Sequence, residues 1–198
     1  MVPIAMMHAF RRAAACVAGL NLAYFGVEFT VALAVGSVSL FADSIDFLED
    51  TSLNLLIFVG VGWSAVSRAR LGMVLAGILL IPGLATLWSA GQKLVHFIPP
   101  DPVPLSLAGL GALAVNSACA IILAPYRAHG GSLAKAAFLS ARNDSIANIA
   151  IIAIGFLTAA TASPWPDLVV GLGIAIMNAD AAREVYVAAR KERRKPFI

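Results

Sequence analysis

Long apolar runs separated by short polar breaks set the pattern of this chain. The runs cover about residues 13–35, 38–65, 71–92, 103–125, 134–160 and 168–189. Each has roughly the 20 residues that a helix needs to cross about 30 Å of hydrocarbon. The breaks carry turn chemistry: Gly36-Ser37, Pro99-Pro100-Asp101-Pro102, Gly130-Gly131-Ser132 and Pro164-Trp165-Pro166-Asp167. Pro82-Gly83 predicts a kink inside the third run. The pattern predicts an all-α integral membrane protein, a bundle of six transmembrane helices. Residues 1–198 then form one transmembrane domain, with no C-terminal soluble domain. Arg11 and Arg12 ahead of the first run mimic a secretory signal. That run is far longer than the roughly 7–15 apolar residues of a signal, so it predicts a retained span.

Composition agrees with the pattern. The chain is 60% hydrophobic and 13% charged, against about 25% charged in a soluble domain. A net charge of +3 raises nucleic acid as a partner, but the basic residues lie at the ends of apolar runs and point to topology instead. Arg11, Arg12, Arg68, Arg70, Arg127, Lys135 and the cluster from Arg190 to Lys195 fall on one set of connections. Near the opposite connections only Lys93 appears, so both termini are expected in the cytoplasm. Cys16 and Cys119 have no metal-ligand spacing and are expected to be buried thiols.

One stretch breaks the apolar pattern sharply. Asp43, Asp46, Glu49 and Asp50 lie in eight positions of the second helix, within an arc of about 120° at helical spacing. Asp46 and Asp50 are an i, i+4 pair on one face. Carboxylates in an apolar slab cost several kcal/mol each, and a cation is the obvious offset. In the fifth run, Ser140, Asp144 and Asn148 are also spaced by four, with Asn143 beside them. Two helices that each present such a pair can meet as a four-ligand site for a divalent metal, with three carboxylates and a hydroxyl. No HExxH, nucleophile elbow or phosphate-binding glycine loop suggests an enzyme.

Gly36-Ser37-Val38-Ser39-Leu40, then Ala42-Asp43-Ser44 and the Asp46/Asp50 pair, resemble the second helix of cation diffusion facilitator transporters. Ser140 and Asp144 resemble the matching pair on that family's fifth helix. The resemblance implies a metal site of Asp46, Asp50, Ser140 and Asp144, with Asp43, Glu49, Asn143 and Asn148 as surrounding or entry residues. It implies efflux of Zn2+ or a similar ion (Cd2+, Co2+, Fe2+ or Mn2+) by proton antiport and alternating access. The metal is then the transported substrate and not a cofactor. A homodimer in a cell membrane, such as a bacterial inner membrane, is the implied setting. Two departures stand out. Ser140 replaces the usual histidine or aspartate, which makes the site harder and less selective for zinc. The family's usual cytoplasmic domain has no counterpart here, and its histidine-rich loop is reduced to His129.

Other functions compete: a cation channel, a proton-coupled carrier of another solute, or an accessory subunit that binds metal without moving it. Individual residues also have plainer readings. Asp43 can cap the start of its helix, and Glu49 can pair with Arg142. Asn21, Glu28, Asn54 and Asn116 read as interhelical glue. Asp180 reads as a partner of Arg183 or Arg11, and Trp63, Trp88 and Trp165 as interfacial anchors.

Overall fold

The computed structural model describes residues 4–60, 70, 84–127 and 131–194. Pro82-Gly83, Trp63, His129, Lys195 and residues 61–65 and 71–83 of the expected second and third helices lie outside them. The helices are α1 (Ile4–Val35), α2 (Val38–Gly60), α3 (84–95), α4 (Pro102–Leu123), α5 (Gly131–Thr161) and α6 (Trp165–Arg194). A single 3₁₀ turn, Ala124–Tyr126, ends α4 at Pro125. Three described stretches are long and apolar enough to cross a membrane: His8–Val35, Pro102–Tyr126 and Ala137–Thr161. The acidic stripe dilutes the apolar character of α2.

Burial follows one stripe per helix. On α1, Phe10, Ala14, Val17, Ala18, Asn21, Glu28 and Ala32 are buried, a spacing of three, four and seven that keeps one face inward. Cys16 falls off this stripe and is exposed, which corrects the expectation of a buried thiol; Cys119 is buried. Large apolar side chains point outward instead, among them Leu33, Leu107, Ile121, Phe156 and Ile176. An apolar exterior of this kind suits lipid rather than water.

The α1–α2 junction is defined atom by atom. Gly36 adopts φ +64°, and the Ser37 N–H donates to the Ala32 carbonyl at 3.0 Å. This is the six-to-one closure of a helix that ends on a left-handed glycine. Ser37 then caps α2, its Oγ accepting from the Leu40 N–H at 3.1 Å. α6 supplies a second cap. The Asp167 carboxylate accepts from the Val38 N–H at 2.9 Å and the Ser39 N–H at 3.1 Å. It also accepts from the hydroxyls of Ser37 at 2.6 Å and Ser39 at 2.7 Å. A carboxylate there faces the positive end of the α2 dipole. Lys93, from α3, donates to the Gly36 carbonyl at 2.6 Å and approaches Asp167 at 3.9 Å.

The interior is layered. Leu40, Phe41, Ile45, Leu105, Ala108, Ile151, Ile154 and Ile174 form one apolar cluster. Phe10, Val17, Ile57, Cys119, Leu123, Ala137 and Ala141 form another. Along α1, α2, α4 and α5 a set of buried polar residues falls between these clusters: Asn21 and Glu28, Asp50 and Asn54, Asn116, and Asn148. Asp43 intrudes into the level of the first cluster from the face of α2 that meets α5.

Candidate metal site

The polar layer is built where α2 and α5 cross. Asp43 and Asp50 are buried, and Asp46 and Glu49 are partly buried. Ser140 Oγ donates to Asp50 Oδ1 at 2.8 Å, joining the two helices. Asp144 lies within reach of the same hydroxyl. A hydroxyl has one proton, so it can serve one of these carboxylates at a time. Asp46 has Asp144, Asp43, Glu49 and Asp50 as charged neighbours. Among the described residues, no three His, Cys, Asp or Glu side chains close into a ready-made metal-binding group. The structure thus brings Asp50 and Ser140 into contact and sets Asp46 and Asp144 beside them, with the acids still apart.

Further along α5, Asn148 spends both ends of its amide. Its Oδ1 accepts from Asn116 Nδ2 at 3.0 Å, and its Nδ2 donates to Asp43 Oδ2 at 2.5 Å. Asp43 is therefore an interior residue of α2, not its cap; Ser37 and Asp167 share that role. Asn143 is exposed and accepts from Arg142 Nη2 at 3.0 Å, so it turns away from the acids. Arg142 is itself exposed and makes no ion pair with Glu49, contrary to the structural pairing considered from sequence. Its position faces outward from the α5 stripe of Ser140, Asp144 and Asn148. Asp180 pairs with Arg183 at 3.6 Å on the α6 surface, while Arg11 donates to the Phe58 carbonyl at 3.1 Å.

Two participants escaped the sequence reading. Asp167 looked like part of a turn, although a carboxylate opening α6 and hydroxyls flanking the start of α2 were both visible. Glu28, read as glue, is fully buried on α1 with its carboxyl against that of Asp43. Its seven-residue spacing from Asn21 was the available signal. Asn54 stays within α2, donating to the Asp50 carbonyl at 2.8 Å.

No curated protein matches the chain. The model of the cation efflux transmembrane domain matches residues 15–192, which takes in every residue of the polar layer. Members of that family are metal cation transporters and not enzymes. With a lipid-facing apolar exterior and a carboxylate layer inside, this chain belongs to the cation efflux family, the cation diffusion facilitators.

Proposed function

We propose that the chain exports a divalent transition-metal ion from the cytoplasm in exchange for protons. Asp46 and Asp50 of α2 and Ser140 and Asp144 of α5 hold the ion. The observation that carries this reading is the Ser140–Asp50 bond, which brings the i, i+4 pairs of two helices together in a layer capped by apolar clusters. No cation pairs with these carboxylates among the described residues, so an incoming cation is what offsets their mutual repulsion. Loading draws the acids together around the ion and expels the protons they hold, so apparent affinity falls as pH falls.

The two apolar clusters give the layer a closed side toward each face of the membrane. Alternating access opens one and shuts the other, with α2 and α5 moving as the site changes sides. Six spans, cytoplasmic termini and a homodimer in a cell membrane complete the reading, supported by the family and by the positions of Lys and Arg. An all-oxygen set is harder than one with imidazole, so zinc competes with manganese, iron, cobalt and cadmium here. Uptake of these ions into proteoliposomes tests the site. Asp50→Ala and Asp144→Ala are expected to insert normally and to abolish flux. Wild-type rates in either variant would remove these residues from the ion's path.

A further inference from the structure

The polar layer contains a second set of groups that the metal ligands do not use. Glu28 on α1 is completely buried, and neither of its carboxyl oxygens has a hydrogen-bond donor among the described residues. Oδ1 of Asp43 on α2, also completely buried, is equally without a donor. These two carboxyls lie within hydrogen-bond reach of each other. Asp43's other oxygen is held by Asn148, whose amide is in turn oriented by Asn116. One residue from each of α1, α2, α5 and α4 thus forms a single line, Glu28–Asp43–Asn148–Asn116.

The groups facing this pair offer no compensating charge. On α1, Tyr24 spends its hydroxyl proton on the Ala108 carbonyl of α4 at 2.6 Å. On α2, Asp46 adds a like charge, and Asp144 of α5 adds another to Asp43. α4 contributes the neutral Asn116 and α5 the neutral Asn148. Two ionised carboxylates in contact repel, and each would leave buried acceptors empty. A single proton between them removes one of the two charges and joins Asp43 Oδ1 to one Glu28 oxygen: it stays covalently on one carboxyl and is donated to the other.

We propose that Glu28 and Asp43 form a proton site built of one shared proton, separate from the metal ligands and one helical turn of α2 beyond Asp46. This rests on the antiport reading and assigns it a proton carrier. On one side of the membrane the pair releases its proton to water and carries two negative charges. On the other it takes up a proton from water and is left with one negative charge. Asn148 holds Asp43 turned toward Glu28 in this conformation, so rotation of α5 against α2 disturbs the pair and the metal ligands together.

The test is infrared difference spectroscopy on the reconstituted protein, with proton and metal fluxes recorded on the same vesicles. Metal-free wild type at neutral pH is expected to show a protonated-carboxyl carbonyl band that shifts on isotopic labelling of glutamate or aspartate. Glu28→Gln is expected to lose that band and remain folded, because its amide donates to Asp43 where the proton did. Asp43→Asn provides the reciprocal variant. With metal flux retained, Glu28→Gln is expected to move fewer protons per metal ion. Absence of the band in wild type, or carboxylate bands there that respond to added Zn2+ instead, would overturn the shared proton whatever the chain transports. Unchanged proton movement per metal ion in both variants would overturn the pair as carrier. If the band appears and vanishes in Glu28→Gln while no metal ion is transported by wild type, the pair stands and the antiport reading falls.

Discussion

Ser140 decides more about this site than any carboxylate, because it is the residue whose chemistry is adjustable. Its hydroxyl bridges α5 to Asp50 and, in the proposed site, offers the ion a hard, neutral oxygen. Ser140→His would place a borderline nitrogen ligand at the same point. The variant is expected to shift competition toward zinc by about tenfold or more, a change of roughly 1.4 kcal/mol in relative affinity. Competition uptake against manganese and cadmium reads the ranking, and an unchanged ranking would mean that residue 140 does not face the ion. At this scale the sequence was informative wherever spacing alone fixed a face. Asp46 and Asp50, or Ser140 and Asp144, share a face on any helix. It was uninformative about which face meets which neighbour: Asn143, one residue from Asp144, points to the exterior, and Cys16 lies one step off the buried stripe.

The start of α2 is the element on which the acidic stripe depends for its position. Asp167 accepts four hydrogen bonds there from three consecutive residues and neighbours the buried ammonium of Lys93. Asp167→Ala leaves the N–H groups of Val38 and Ser39 without that partner and Lys93 without its counter-charge. The expected cost is about 3 kcal/mol, from the loss of charged hydrogen bonds and a broken buried pair. Thermal unfolding in detergent checks it, with Asp167→Asn expected to fall between the variant and wild type. Gly171 permits the same approach of α6 to α2: a Cβ there would stand 2.6 Å from the Val38 carbonyl carbon and 2.7 Å from the Ser39 N. Gly171→Ala is therefore expected to destabilise the same junction, since backbone cannot move aside as a flexible side chain can. A melting temperature equal to wild type would show that α6 does not clamp α2. None of this was legible from local pattern, because Ser37 and Asp167 are separated by 130 positions. The break at Gly36-Ser37 was legible, since a glycine beside a capping serine is a local signal.

Across the whole molecule, the helical membrane class follows from apolar run lengths, while the layered interior emerges only when four helices are brought together. An acidic layer between two apolar clusters is costly unless metal ions or protons neutralise it. In the proposed function metal and proton movement are therefore coupled. Apparent metal affinity is expected to weaken steadily as pH falls from about 8 to 5.5, because protons and metal compete for the same oxygens. Calorimetric titration across that range checks this, and a flat profile would separate the two. The most direct measurement reconstitutes the protein in vesicles, imposes a pH gradient with the acid side on the face opposite the termini, and follows Zn2+ and proton movement together. The account predicts saturable Zn2+ movement toward the acid side, with protons moving the opposite way and both lost in Asp50→Ala. Zn2+ flux that ignores the gradient, or no flux for any divalent ion in the wild type, would contradict it.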